Sequence, residues 1–332
     1  MNKRWSTLLA GASVLSLALV GCGAGSPSGS ESAPKDNANG SADSSLTKVV
    51  VGILPIAPSV AVQQGIDSGV FEKHGLEIEL NTSNAGAAML PAVSTGELAI
   101  AVGNPLSVMT AVDKGLDMKI VSGYSESVSE GEDANGVIVR KDSGIDSWDD
   151  LAGKTTSVNA LRTQGDLTIM ESAQKAGAEP KDLKFSEMPF PDMEAQLDRG
   201  NVDAMWTPEP FLSRALANED NVLLGYPNQE AIVGMPTMVS FTSGKFAEEN
   251  PEVISSWKAA MGEILPASQS DPDSARAMLP EFINMDAEVA KGLAMETWEA
   301  ETPVKELTEL GDLAAKFGFL EKAPDINSLI IK

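Results

Sequence analysis

Few side chains in this sequence are suited to covalent or metal chemistry. The chain of 332 residues has one cysteine, Cys22, and one histidine, His74. A serine hydrolase would need a G-x-S-x-G elbow, and the sequence has none. It has no H-E-x-x-H pair and no cluster of histidine and cysteine at metal-ligand spacing. His74 stands in a polar turn between a predicted helix and a predicted strand. We therefore expect no enzyme activity, no metal and no cofactor.

A predicted export signal at the N-terminus ends at Cys22. Lys3 and Arg4 precede an apolar stretch, Trp5–Val20, that is short for a membrane span. Leu19–Cys22 resembles the bacterial lipobox, in which the chain is cut before a cysteine that then carries a diacylglycerol. An ordinary signal peptide with an incidental cysteine is the alternative. We expect residues 1–21 to be a lipoprotein signal peptide and Cys22 to be lipidated.

The next segment, residues 22–45, is predicted to be a disordered tether. Nineteen of the 23 residues in Gly23–Ser45 are Gly, Ser, Ala, Pro or Asn, a composition that buries too little apolar area to offset its ordering entropy. The remaining chain is longer than one compact core usually serves, which favours two lobes. The formal net charge of -24 at pH 7 argues against nucleic-acid binding and against a membrane-surface role for the folded body.

Strand and helix patterns alternate along that folded body. Apolar runs such as Lys48–Ile53, Leu98–Val102 and Val202–Trp206 are typical of strands buried on both faces. The series restarts after Gly136–Arg140, which predicts two mainly parallel α/β sheets. In such sheets ligands bind beyond the carboxyl ends of strands, where helix N-termini present unpaired N–H groups. Two such edges facing each other would enclose a cleft.

Five segments form an ordered set along the chain: Ser68–Leu80, Ser94–Ala101, Val139–Ile145 with Trp148–Lys154, Arg199–Trp206 and Glu209–Phe211. The first is similar to the signature GLFEKxGLDVEL, and the set resembles the nitrate/sulfonate/taurine (NMT1/Thi5-like) family of solute-binding proteins. Each segment alone is weak evidence for the resemblance. The occurrence of all five in this order over Val49–Lys332 is specific evidence for it.

The resemblance implies an α/β chain with the two-lobed type II periplasmic-binding-protein fold, in which two doubly wound, mainly parallel sheets are joined by two crossover strands. Residues 46–139 and 237–332 would form lobe one, and residues 140–236 would form lobe two, with hinges near Val139–Lys141 and Met235–Met238. It implies a monomeric, extracytoplasmic receptor that serves ABC permease subunits. The catalytic pyrimidine synthases of this fold need histidines and a cysteine-rich motif, which this chain lacks.

Loops that follow strands supply the expected ligand contacts, and the family points to the same loops. Arg162 is the only arginine in these loops and could hold a carboxylate or sulfonate in bidentate geometry; a solvated surface arginine is the alternative. Glu209 could pair with an amine on the ligand or only complement a helix dipole. Trp206 could cover a flat ligand or belong to the core. The expected contacts are Pro55, Ser59, Ser83, Asn84, Gly103, Asn104, Tyr124, Ser125, Asn159, Arg162, Thr163, Phe190, Trp206 and Glu209.

The resemblance also limits the chemical class of the expected solute. It implies a small anionic or zwitterionic organic solute, such as a sulfonate, taurine, a nitrate-like ion or an aromatic carboxylate. A thiamine-pyrimidine precursor is the alternative within the same fold. A secreted hydrolase or lyase lacks a nucleophile and base, and a structural lipoprotein does not explain two facing strand-end edges.

Overall fold

The computed structural model describes residues 46–332. The predicted signal peptide, Cys22 and the predicted tether lie outside these residues. The described strands are β1 (Thr47–Ile53), β2 (Leu76–Thr82), β3 (Ile100–Gly103), β4 (Met118–Glu126), β5 (Asn135–Arg140), β6 (Thr155–Val158), β7 (Lys184–Glu187), β8 (Ala204–Pro208), β9 (Asn221–Gly225), β10 (Pro236–Ser243) and β11 (Thr297–Trp298).

The helices surround these strands, and short 3-10 turns precede α1, β6 and β7. The described helices are α1 (Val60–Asp67), α2 (Val70–Lys73), α3 (Gly86–Thr95), α4 (Pro105–Asp113), α5 (Gln164–Ala176), α6 (Phe190–Asp198), α7 (Phe211–Leu216), α8 (Pro227–Ala231), α9 (Gly244–Glu249), α10 (Pro251–Ser270), α11 (Pro272–Phe282), α12 (Ala287–Lys291), α13 (Val304–Lys316) and α14 (Ile326–Leu329). In residues 46–332 no helix combines the length and the apolar character that crossing a bilayer requires.

The strands form two sheets. The first has the order β11-β4-β10-β3-β1-β2, and the second has the order β7-β6-β8-β5-β9. In the first sheet β1 runs parallel to β2 and β3, whereas β10 is antiparallel to β3 and β4, and β11 is antiparallel to β4. In the second sheet β6 is parallel to β7 and β8, whereas β5 is antiparallel to β8 and β9. Both sheets are thus mixed: β10 and β11 run against the other four strands of the first sheet, and β5 runs against the other four strands of the second.

Burial explains why the apolar runs become strands. Val49, Val51 and Ile53 of β1 are at most 1% exposed because β2 and β3 flank the strand and helices cover the sheet. All eight residues of β10 are buried. On the helical side, Trp257 of α10 stacks on Phe71 of α2 with ring centroids 5.3 Å apart. Continuous apolar strands of this kind are expected where both sheet faces are covered.

The chain passes between the sheets twice. The first passage is residues 127–134, between β4 and β5, and the second is residues 226–235, between β9 and β10. Each passage leads into an antiparallel strand of the sheet that it enters. The predicted boundary after residue 139 falls inside β5, whose residues from Asn135 onward pair with β8. The first crossing therefore lies at residues 127–134, ahead of the predicted hinge, while the division into two lobes stays a prediction.

Two details of the chain path bear on the site. α7 begins only at Phe211, because Pro208 is the last residue of β8 and pairs with Asn135. The tail after β10 contains β11, which pairs with the end of β4 at the edge of the first sheet. This short strand brings the tail to the carboxyl end of β4.

Candidate binding cleft

A cavity lies where the carboxyl ends of strands from both sheets meet. The space left between its side chains is about 50 Å³, enough for a few water molecules. The first sheet and its connections contribute Leu54, Ile56, Ala85, Gly86, Ala87, Asn104, Ser107, Thr237, Met238 and Glu296. The second sheet and its connections contribute Asn135, Asn159, Ala160, Thr163, Gln164, Phe190, Trp206 and Pro208.

Asn104 is fixed at the end of β3. Its Oδ1 accepts from the backbone N–H of Leu106 at 2.9 Å and so caps α4, an arrangement that satisfies an otherwise free helix N–H. Close backbone approach positions the residue: a Cβ on Gly103 would lie 3.0 Å from Gly86 Cα. The Asn104 side-chain amide then donates to Thr237 O at 3.2 Å and to Gln164 Oε1.

The loop from Asn159 to Thr163 is held by a buried acid at the start of α5. Asp166 accepts from the backbone N–H of Arg162 at 2.6 Å and of Thr163 at 2.8 Å. Burial raises the pKa of Asp166 to about 6, and these backbone hydrogen bonds oppose that rise. Asp166 therefore fixes the loop that carries Asn159 and Thr163 to the cavity.

Aromatic rings form one side of the cavity. Phe190 and Trp206 have ring centroids 6.0 Å apart, and Phe190 also stacks on Phe211 at 5.7 Å. The indole of Trp206 lies against Gly165, since a Cβ there would be 2.7 Å from Trp206 Cε3. Among the described residues, the buried Trp206 Nε1 has no hydrogen-bond partner. The wall thus offers flat apolar faces, and the indole N–H of Trp206 is an unused hydrogen-bond donor.

Glu296 is the ionisable residue of the wall. It precedes β11 and is 4% exposed. Its Oε1 accepts from Asn135 Nδ2 at 2.6 Å, and its Oε2 accepts from Thr237 Oγ1 at 2.7 Å. Burial raises the pKa of Glu296 to about 7, and the nearby Asp133 carboxylate acts in the same direction. The carboxyl group therefore lies between the two antiparallel crossover strands.

Contacts across the cleft hold the two sheets together in this conformation. Besides the Asn104–Gln164 pair, Asn159 Nδ2 donates to Asn84 O at 3.3 Å. The backbone N–H of Ala57 donates to Glu209 O at 3.1 Å. Elements of the first sheet thus meet elements of the second around the cavity, so the structure shows a closed cleft.

The structure brings five of the expected contact residues to the cavity wall and leaves nine outside it. The five are Asn104, Asn159, Thr163, Phe190 and Trp206. Pro55 is exposed, Ser83 donates to Ala85 O at 3.3 Å, Asn84 offers only its carbonyl to Asn159, and Gly103 packs under the wall.

Three buried residues that were predicted to touch the ligand have structural contacts. Tyr124 donates its hydroxyl to Pro58 O at 2.9 Å. Ser125 lies 2.9 Å from Thr237 Oγ1, one layer behind the wall. Ser59 is fully buried at the end of a 3-10 turn, where it packs without a hydrogen-bond partner for its Oγ among the described residues. All three belong to the packing beneath the strand ends.

The two charged candidates also lie off the wall. The Arg162 guanidinium donates to Gly318 O and lies 5.0 Å from the centroid of Phe319. In this conformation an aromatic face and a carbonyl of the tail occupy the guanidinium, and a role of Arg162 in holding the cargo stays a prediction. The Glu209 carboxylate accepts from Ser213 N at 3.0 Å and from Ser213 Oγ at 2.6 Å, which favours the helix-capping interpretation.

The sequence pattern missed five polar wall residues, one of which is Ser107 in the first turn of α4. Gln164 directly follows Thr163, so the strand-end rule reached its neighbour. Asn135 and Thr237 lie at the starts of β5 and β10, where a rule for crossover strands would have found them. Glu296 lies in a tail that carried no strand signal. In residues 46–332 no cluster of three or more His, Cys, Asp or Glu is arranged to hold a metal ion.

Comparison with known proteins agrees with this architecture. A family model described as NMT1/THI5 like matches residues 61–275. A Bacillus subtilis (strain 168) protein named for the binding of aliphatic sulfonates is 22% identical over 320 residues, which cover 94% of this chain and 90% of that protein.

Solved structures show the same fold. The periplasmic aliphatic sulphonate-binding protein SsuA from Escherichia coli has a TM-score of 0.67 at 18% identity, covering 85% of this chain and 97% of that one. The alkanesulfonate-binding SsuA from Xanthomonas axonopodis pv. citri, bound to MOPS, gives 0.72 at 16% identity, with 86% and 98% covered. The nitrate-binding NrtA from Synechocystis PCC 6803 gives 0.69 at 14% identity, with 86% of each chain covered. The predicted periplasmic-binding-protein fold is confirmed.

Proposed function

This chain belongs to the NMT1/THI5-like family, as the sequence predicted, and on that premise we propose that it captures a small organic solute and delivers it to the permease subunits of an ABC importer. Proteins that are similar to this chain are named for binding sulfonates or nitrate. The observation that carries the proposal is the cavity, whose wall joins strand ends of both sheets. A solute there would be contacted from both sides.

The proposed contacts combine two kinds of chemistry. Asn104, Asn159 and Gln164 present amides that can donate and accept, and Thr163 adds a hydroxyl. Phe190 and Trp206 present ring faces to a flat or apolar part of the solute. The described wall has no histidine, cysteine or lysine, so binding without turnover is favoured over the secreted hydrolase or lyase.

Ligand-induced stabilisation tests this function. A panel of small sulfonates, carboxylates, amines and zwitterions should contain a member that raises the melting temperature, because saturation at 100 times Kd adds about 2.7 kcal/mol to the free energy of unfolding. Native mass spectrometry of gently purified protein gives a parallel readout of retained cargo. Trp206→Ala should reduce the shift. Turnover of a panel member, or no bound small molecule by either method, would contradict the proposal.

We further propose that the receptor is an extracytoplasmic lipoprotein anchored through Cys22 and that it acts as a monomer. The support is the Leu19–Cys22 lipobox pattern together with relatives described as periplasmic. Cys22→Ala should release the protein from the membrane fraction or leave it unprocessed. Detergent-free fractionation that finds the variant processed and still membrane-bound would refute the anchor.

A further inference from the structure

The charge of the wall differs from what an anion-binding cleft requires. Among the described residues that line the cavity, Glu296 is the only one with an ionisable side chain; the others are amides, hydroxyls, aromatic rings and aliphatic groups. Arg162, the arginine nearest in sequence to the wall residue Thr163, places its guanidinium on Gly318 and Phe319 instead. A bare sulfonate, carboxylate or nitrate would meet a carboxyl group and no cationic side chain.

The Glu296 carboxylate retains acceptor capacity. Two carboxylate oxygens offer about four lone-pair sites. Among the described residues, Asn135 Nδ2 donates to Oε1 and Thr237 Oγ1 donates to Oε2, and the Ser125 hydroxyl also hydrogen-bonds the carboxyl group. About one site therefore stays open on a residue that borders the cavity. A buried carboxylate with an unused acceptor is matched by a cationic N–H donor, which neutralises the charge and fills that site.

Within residues 46–332, no cationic side chain acts on Glu296. Asp133 is the charged group whose field acts on it, and Tyr124 is the other titratable side chain coupled to it. Asp133 is itself occupied, because Ser127 Oγ and the backbone N–H of Ala134 donate to its two oxygens at 2.5 and 2.8 Å. The cavity side of Glu296 is thus the place where a positive group would be stabilised by both acids.

We infer that the solute carries a cationic nitrogen, as an amine or a zwitterion does, and that Glu296 binds this group. The inference rests on the proposed receptor function and names its substrate class. Cargo that is only anionic, as in simple sulfonates or nitrate, is disfavoured. The aromatic pair Phe190 and Trp206 would cover the remaining part of the solute.

Matched probe pairs test the inference. Taurine and isethionate differ mainly in an ammonium group against a hydroxyl, and benzylamine and benzoate differ in the sign of the charge. Calorimetry and thermal shift would be measured for the wild type, Glu296→Gln, Glu296→Asp and the control Glu126→Gln. Glu126 ends β4, pairs with Thr297 next to Glu296, and does not line the cavity.

We expect an amine-bearing member of a pair to bind the wild type and Glu126→Gln at least tenfold more tightly than its partner without a cationic nitrogen. Glu296→Gln should weaken that amine ten- to hundredfold, since a charge-assisted hydrogen bond is lost, and Glu296→Asp should weaken it less. Isethionate or benzoate binding as tightly as its amine partner, or Glu296→Gln within twofold of wild type, would overturn the inference and leave the receptor function standing. If no probe binds and the purified protein carries no small molecule, the receptor function itself fails.

Discussion

Replacing Arg162 by alanine should weaken closure of the cleft without removing a ligand contact. Arg162 lies beside α5, on the side of the second sheet, whereas Gly318 and Phe319 follow α13, which packs on α4 of the first sheet. The guanidinium therefore joins elements of the two sheets. These groups meet in the closed arrangement, and we expect their contact to favour that state because opening would separate the two sheets.

The magnitude follows from the two contacts. A hydrogen bond from a charged donor at an exposed site stabilises by about 1 kcal/mol, and an exposed cation–π contact adds roughly 0.5–1 kcal/mol. Their loss should shift the equilibrium between closed and open forms by about 1–2 kcal/mol, which is roughly five- to thirtyfold. Because the apparent Kd varies inversely with the closed population, affinity should fall by up to that factor, and by the same factor for every cargo.

Calorimetry with two cargoes of different charge measures the effect, with Arg214→Ala as the control. Arg214 makes a similar pair of contacts, to Glu194 Oε2 at 2.7 Å and over the Phe211 ring at 5.1 Å, but entirely among α6 and α7 of the second sheet. Arg214→Ala should therefore leave the affinity for both cargoes nearly unchanged. A ten- to hundredfold loss confined to anionic cargo in Arg162→Ala would refute the closure argument and return Arg162 to the binding site.

Three other predictions concern closure, packing and pH. Cargo should reduce the radius of gyration measured by solution scattering, because residues 127–134 and 226–235 allow rotation between the sheets; an equal radius at saturation contradicts this. Gly165→Ala places a Cβ against Trp206 and should cost about 1–3 kcal/mol in denaturant unfolding, whereas Gly262→Ala, with open space around it, should not destabilise. Burial raises the pKa of Glu296 from 4.5 to about 7. The stabilisation from the neutral carboxyl group is therefore complete below pH 4.5, and the free energy of unfolding falls by about 3 kcal/mol as pH rises through 7. Glu296→Gln should remove this pH dependence.

Local pattern was sufficient for much of the fold and for part of the wall. Asn104, Asn159 and Thr163 each follow a strand within a few residues, so the rule that ligands bind at strand ends found them without tertiary information. Phe190 was found for the same reason, and Trp206 was found as the last residue of the predicted strand Val202–Trp206. Apolar runs likewise predicted β1 and parts of β3 and β8, because a run of apolar residues is visible among sequence neighbours.

Long-range contacts decide what the pattern left open. The apolar run of β5 looks the same whichever sheet it joins, and only its pairing with β8 and β9 settles the matter. The sequence places Arg162 in a loop next to the cavity, but the direction of its side chain depends on a hydrogen bond to the carbonyl of Gly318, 156 residues further along the chain. Glu296 reaches the wall because β11 pairs with β4, and two residues of strand are too few to produce a periodic signal.

The cost of burying Glu296 is itself an argument about the cargo. At neutral pH a carboxyl group that is 4% exposed and faces Asp133 destabilises the protein, and glutamine would keep the donation from Asn135 without that penalty. Strained or perturbed groups are typical of functional sites. A cationic nitrogen in the cavity would reverse the cost, because it restores the ionised form that burial disfavours. The net charge of -24 has the same sign, so long-range attraction and the local carboxylate both favour a solute with a positive group.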